Sequence, residues 1–244
     1  MISRNEIKYI KDLSRKSIRF TEGKFVVEGE KLVDELLKSN FEIDGIYATE
    51  LWMNDLVGDF TVVTDKDLSR ISHLKSPNKV LAVVKMPEFW DLEDESTGLT
   101  LFLDRINDPG NLGTIIRMAD WFGVKHIVCT KNSVDVFNSK VIQSSMGSIF
   151  RIPVEYVDGS EFIEEYKTLN PTHPVLGAAM NGEEVGTFSF PKDALMIMGS
   201  ESHGIDEEID SLITKHITIP KFGNAESLNV GVATGVLLWE WKRG

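Results

Sequence analysis

From Leu99 to the C-terminus, short apolar runs alternate with stretches of helical pattern, and this alternation constrains the fold more than any other feature of the chain. The runs occupy residues 99–103, 126–129, 154–156, 175–179, 195–198 and 217–219. Helical patterns fall between and after them, near 111–122, 139–146, 161–169, 206–213 and 227–242. A strand that is apolar along its whole length has no face to give to water, so it belongs in a parallel sheet covered by helices on both sides. The expectation for residues 99–244 is therefore an α/β domain with a parallel sheet. In such sheets chemistry sits in the loops that follow the strands.

Residues 1–88 read as a smaller α/β unit. Helical spacing covers 6–17, 30–38 and 65–71, and strand-like runs cover 25–27, 43–48, 60–63 and 79–84. Residues 89–98 then change in composition, with Asp91, Glu93, Asp94 and Glu95 ahead of Ser-Thr-Gly, as expected of an acidic linker. A net charge of -12 counts against indiscriminate binding to nucleic acid. The first 24 residues run the other way: Arg4, Lys8, Lys11, Arg15, Lys16, Arg19 and Lys24 face only Glu6, Asp12 and Glu22. That patch fits selective contact with a polyanion, or a solvated helix face. One cysteine, Cys129, excludes an intrachain disulfide framework, and no Cys/His spacing suits a metal. With neither a secretory signal nor a membrane-length apolar run, the expected compartment is the cytoplasm.

Three loops carry the polar residues that a buried sheet does not need. The first runs from Asp104 through Asp108-Pro109-Gly110 into a helix bearing Asn111 and Arg117, whose six-residue spacing is close to two helical turns. A helix N-terminus there suits an anion. The Gly-x-Gly-x-x-Gly order of a dinucleotide loop is absent, which leaves a nicotinamide-dependent oxidoreductase without its signature. The second loop follows 195–198 and reads Gly199-Ser-Glu201-Ser-His203-Gly204. The third follows 217–219: Pro220 ends the strand, and Ser227 reads as the N-cap of the last helix, with Asn229 in its first turn. Gly231 and Gly235 lie on one face of that helix. Together they cost it about 2 kcal/mol relative to alanine, so a ligand, a crossing chain or a partner helix should approach there.

Residues 111–117 (NLGTIIR), 199–204 (GSESHG), and Ile219-Pro220 followed by 227–230 (SLNV) resemble, in order and spacing, the three motifs of SpoU (TrmH-type) RNA ribose 2′-O-methyltransferases of the SPOUT superfamily. Residues 144–154 are similar to a further family segment, and 23–30 to the family's small RNA-binding domain. The resemblance implies transfer of a methyl group from S-adenosylmethionine to a ribose 2′-hydroxyl in structured RNA, ribosomal RNA being favoured over transfer RNA. It implies a deep trefoil knot in the C-terminal domain, a homodimer formed through that domain, and a cofactor held by the knotted loops. Gly199, Ile219 and Leu228 match cofactor-binding positions, and Leu176, Gly177 and Ala178 are expected to form another wall of the pocket. Asn111, Arg117, Glu201, Ser227 and Asn229 match the family's polar set. The basic residues from Arg4 to Lys24 are the expected RNA contacts. Lys221-Phe222 replaces the usual Met-containing pair, and Gly231 stands where Ser is common.

The family mechanism gives Arg117 the activation of the hydroxyl, helped by a substrate phosphate. A guanidinium with pKa above about 12 is a poor base, so positioning of phosphate and hydroxyl stands as the rival role. The alternative to an enzyme is an RNA-binding or assembly protein that kept the fold without the chemistry.

Overall fold

A computed structural model describes residues 2–52, 59–88 and 97–244; the greater part of the expected linker, 89–96, lies outside the described residues. In chain order the first elements are α1 (Arg4–Asp12), α2 (Lys16–Glu22), β1 (Lys24–Glu28), α3 (Glu30–Leu36), β2 (Ile43–Ala48), β3 (Thr61–Val62), α4 (Asp65–Ile71) and β4 (Val80–Lys85). Then follow β5 (Leu99–Leu103), α5 (Pro109–Phe122), β6 (His126–Thr130), α6 (Ser139–Ser145), β7 (Val154–Val157), α7 (Gly159–Leu169) and β8 (Val175–Glu184). The chain closes with β9 (Ala194–Met198), α8 (Glu207–Asp210), β10 (Lys215–Thr218) and α9 (Val230–Arg243). Two compact units result. One comprises the described residues up to 88 together with 135–151; the other comprises 97–134 and 152–244.

In the first unit the strands order as β1-β4-β2-β3, with β4 antiparallel to both β1 and β2. The single helix expected over 6–17 is two. α1 opens on a capping box in which the Ser3 hydroxyl accepts from the Glu6 N–H and the Glu6 carboxylate accepts from the Ser3 N–H. It stops at Asp12, and α2 starts afresh at Lys16 and ends on Gly23 in the left-handed region. Arg19 makes the break useful. The residue is 4% exposed, its guanidinium donates to the carbonyls of Leu13 and Ser14 at 3.0 and 2.7 Å, and it pairs with Asp135. Residues 135–151, which chain order groups with 99–244, pack in this unit for the same reason. Phe137 meets Phe25 at 4.6 Å between ring centroids, the Gln143 amide donates to the Glu28 carbonyl at 2.8 Å, and Arg151 pairs with Glu35 at 2.6 Å.

The second unit holds the expected parallel sheet, six strands in the order β10-β8-β9-β5-β6-β7. Every pairing in it is parallel, and every residue of β5, β6 and β9 is buried. Phe102, Val128, Leu195 and Ile197 pack with Ile163 and Tyr166 of α7 on one face. α5 begins on an Asp108 cap, with Pro109 in its first turn, and ends on Gly123 in the left-handed region. The close approach that Gly231 and Gly235 foretold is made by α5. A Cβ at Gly235 would lie 2.8 Å from Met118 Sδ, and one at Gly231 would lie 3.4 Å from Thr114 Cγ2. α9 begins three residues after Ser227, because Asn229 is its cap: the Asn229 side-chain oxygen accepts from the N–H groups of Gly231 and Val232 at 3.0 and 3.3 Å.

Candidate active site

At the C-terminal ends of β9 and β10, beside the middle of β8, the sheet opens into a cavity of about 590 Å³. Its inner wall is apolar and buried, with Met198, Ile217, Val230 and Leu237 each at most 5% exposed. Two loops frame it. After β9 the chain turns back within six residues: Ser200 and Gly204 exchange backbone hydrogen bonds at 3.0 and 2.9 Å, and Gly204 sits at φ +65°. A Cβ on Gly199 would lie 2.3 Å from the Gly204 carbonyl carbon, so this turn admits no side chain there. After β10 the chain runs from Ile219 to Asn229 along the rim. From Lys221 to Leu228 no backbone group pairs with another backbone group among the described residues. Unpaired N–H and C=O groups beside an apolar slot suit a ligand with a flat apolar body and polar edges.

Three side chains from three loops connect at the edge of this cavity. Asn229 donates from Nδ2 to Asn111 Oδ1 at 2.9 Å, and Asn111 donates from Nδ2 to Glu201 Oε1. The orientation of both amides follows from the two ends. The α9 N–H groups can only donate, so they require the Asn229 oxygen; an ionised carboxylate can only accept, so it requires the Asn111 nitrogen. The chain Glu201–Asn111–Asn229–α9 therefore has one polarity, and each bond polarises the next. Asn111 is itself placed by the cap of α5, its N–H donating to Asp108 Oδ1 at 2.9 Å.

A second cluster ties the two loops that carry Asn111 and Glu201. The buried Asp104 donates its N–H to the Met198 carbonyl at 2.8 Å and accepts from the Asp206 N–H at 2.8 Å. Arg105 bridges Asp104 and Asp206 at 3.2 and 3.0 Å. It does so from φ +53°, a conformation that costs a non-glycine residue roughly 1 kcal/mol or more. Sequence reading passed over this cluster, because two aspartates a hundred residues apart carry no local signal.

The expected site residues divide as follows. Gly199, Glu201, Ile219, Ser227, Leu228 and Ala178 line the cavity, and Asn111 and Asn229 join it through Glu201. Leu176 and Gly177 do not line it. Both are buried within β8, and a Cβ on Gly177 would strike Ile213 at 2.4 Å, so that glycine serves core packing. Arg117 is exposed on α5 and makes no hydrogen bond or ion pair among the described residues. At 3.6 residues per turn, six residues from Asn111 leave it about 120° round the helix, so the two do not share a face as the spacing suggested. Of the seven N-terminal cations, Arg19 is buried and unavailable to RNA. Lys24 is held by Asp44 at 2.8 Å and Lys11 by the Ser72 carbonyl at 3.1 Å. Arg15 pairs with Asp12 at 2.5 Å, Lys16 lies 5.7 Å over the Phe20 ring, and Arg4 and Lys8 project into solvent. In the second unit, burial pulls the His126 imidazole down to about 4 and pushes the Cys129 thiol up, so both stay neutral within the sheet.

Comparison with known proteins agrees with this geometry. Residues 4–82 match the MRM3-like substrate binding domain. The chain is 32% identical, over 96% of its length and 94% of the relative's, to the 23S rRNA (guanosine(2553)-2′-O)-methyltransferase RlmP of Bacillus subtilis. Among solved structures, a protein assigned to the TrmH family of RNA methyltransferases from Porphyromonas gingivalis superposes with a TM-score of 0.88 at 34% identity, covering 100% of this chain and 99% of that one. An AdoMet-bound rRNA methyltransferase from Sinorhizobium meliloti superposes with a TM-score of 0.86 at 27% identity, covering 100% of this chain and 96% of the other. Residues 98–239 match the SpoU rRNA Methylase family, with the cavity and its three polar loops inside the matched span, and the chain belongs to that family.

Proposed function

We propose that this protein methylates a ribose 2′-hydroxyl in structured RNA, ribosomal RNA in the first place, with S-adenosylmethionine as donor. The observation that carries the reading is the single-polarity chain Glu201–Asn111–Asn229 at the edge of an apolar cavity whose rim keeps its backbone groups unpaired. The residues present fit the cofactor. The buried wall of Met198, Ile217 and Val230 would receive an adenosyl body, and the 221–228 backbone would offer hydrogen-bonding groups to its polar edge. Bound there, S-adenosylmethionine supplies an electrophilic methyl group on a sulfonium. Glu201 offsets positive charge nearby, and Ser227, exposed on the rim, is within the lining set as a hydroxyl that orients the ribose. Arg117, with no side-chain partner among the described residues, takes a substrate phosphate and places the hydroxyl, rather than removing its proton. Arg4 and Lys8, exposed and engaged by no side chain or carbonyl among the described residues, serve further phosphate contacts.

The finer expectations belong to the same reading. α5 and α9 pack together and still expose Trp121 at 83%, Val232 and Trp239, which supports a homodimer closed over this face. The return of the chain from edge strand β10 to α9 against α5 supports a threaded, trefoil-knotted C-terminal segment. No helix among the described residues is long and apolar enough to cross a membrane, in keeping with work in the cytoplasm.

The test uses total rRNA from cells lacking the protein, incubated with the full-length protein and radiolabelled S-adenosylmethionine. Label should enter alkali-resistant dinucleotides, the mark of a 2′-O-methyl group, and Arg117→Ala should abolish it while cofactor binding by titration calorimetry stays unchanged. Absence of cofactor binding to the wild type would leave only an RNA-binding role.

A further inference from the structure

The rim segment holds a side chain that neither the apolar cavity nor the polar chain uses. Phe222 is 96% exposed, the barest of the large apolar residues described, yet it stands on the lip of the cavity. Beside it Lys221 is the one Lys or Arg among the described residues lining that cavity, and no hydrogen bond or ion pair engages it among the described residues. An unpacked aromatic ring next to an unpaired ammonium, on a protein of net charge -12, is the pairing that a nucleotide satisfies: a flat base for the ring and a phosphate for the cation.

Resting on the methyltransferase reading, we infer that Phe222 stacks on the base of the nucleotide being methylated and that Lys221 holds an adjoining phosphate. The ribose has to reach the mouth of a cavity whose interior the cofactor occupies, so its base lies outside, on the lip. The cofactor's own adenine is the poorer claimant on Phe222. The buried wall offers it an enclosed apolar surface, whereas the ring of Phe222 is left to solvent on almost every side. The charge argues the same way, because an ammonium beside a sulfonium is repelled, while a phosphate needs it. Stacking on an aromatic ring accepts any base, so Phe222 supplies placement, and the choice of target is left to other contacts.

The experiment compares wild type with Phe222→Leu, Phe222→Trp and Lys221→Gln, all changes at exposed positions that leave the fold intact. Readouts are KM for rRNA from cells lacking the protein, Kd for the same RNA by filter binding, and Kd for S-adenosylmethionine by calorimetry. Phe222→Leu keeps an apolar side chain without a π face and should raise the RNA constants roughly 10-fold, within the range of one lost base stack. Phe222→Trp should stay within about twofold of wild type, and cofactor affinity should be unchanged in all variants. Lys221→Gln should weaken RNA binding and lower the salt slope by roughly one unit. Equal RNA constants for Phe222→Leu and wild type would overturn the stack. Weakened cofactor binding with normal RNA constants would overturn it too, and would assign the ring to adenine. Should the wild type transfer no methyl to this RNA, the methyltransferase reading fails separately, and filter binding by the same variants still decides the stack.

Discussion

Replacing Asn229 with Asp separates what that residue does for the helix from what it does for the site. The new side chain keeps an oxygen facing the N–H groups of Gly231 and Val232, so the cap survives. A carboxylate at a helix N-terminus adds about 0.3–1 kcal/mol of stability. For a domain of this size, that moves Tm by a few degrees at most, roughly 2–4 °C per kcal/mol. The other arm changes character. Where Asn229 Nδ2 donates to Asn111 Oδ1 at 2.9 Å, Asn229→Asp presents an acceptor. Asn111 then has to turn its amide over, and its oxygen faces the Glu201 carboxylate to which its nitrogen donates in the wild type. One hydrogen bond to a charged group is lost, worth about 1.5–3 kcal/mol where water is excluded. In the free protein Glu201 and Asn229 are exposed and Asn111 is half-buried, so water relieves the mismatch and the cost falls on the complex. The expected outcome is an unchanged or slightly raised Tm, with kcat/KM lowered roughly 10- to 150-fold at 1.4 kcal/mol per decade. The double variant Asn229→Asp with Glu201→Gln supplies an amide that can donate to the turned Asn111 oxygen, and it should regain part of the loss unless the carboxylate charge itself is required. Methyl transfer by Asn229→Asp within twofold of wild type would refute the claim that the polarity of this chain matters.

Two further outcomes follow from buried groups. Arg19→Met leaves the Asp135 carboxylate buried without its partner and should cost about 3–5 kcal/mol by denaturant unfolding. Pairing it with Asp135→Leu should restore most of that, and the salt slope of RNA binding should not change, since a buried guanidinium touches no phosphate. For His126, burial places the folded pKa near 4 against 6.5 for the free imidazole. The unfolded chain binds the extra proton between those values, so this contribution is whole above about pH 6.5 and is lost as pH falls toward 4. His126→Gln should flatten the decline of Tm between pH 6.5 and 4.5; an identical slope would show that other groups set it.

The elements whose signal is local were legible in the sequence. Residues 43–48, 65–71 and 99–103 form the elements expected of them, because alternation, a Thr64 cap and an unbroken apolar run each act within one turn or strand. What was not legible depended on partners distant in the chain. The helical pattern over 6–17 continues through Ser14, but the chain breaks there because the carbonyls of Leu13 and Ser14 are claimed by Arg19. Ser227 and Asn229 are both good caps by residue type, and only the placement of Asn111 decides between them. Leu176 and Ala178 share a strand face by period two, yet only Ala178 reaches the cavity, because the cavity begins where the pairing of β8 with β9 stops at Gly177.

The two glycines of α9 show how the fold reaches the chemistry. Gly231 and Gly235 let α9 lie against Thr114 and Met118 of α5, so the start of one helix comes within hydrogen-bonding distance of the start of the other. Asn229 caps α9 and Asn111 occupies the first turn of α5, and the 2.9 Å bond between them exists only at that separation. A bulkier residue at Gly235 would force Met118 aside or push the helices apart, and the first bond lost would be the one linking Asn229 to Asn111 and so to Glu201. The helix-weakening glycines, the unusual caps and the acid of the second loop are thus one arrangement: close packing on the sheet sets the distance, and the distance sets the polarity of the site.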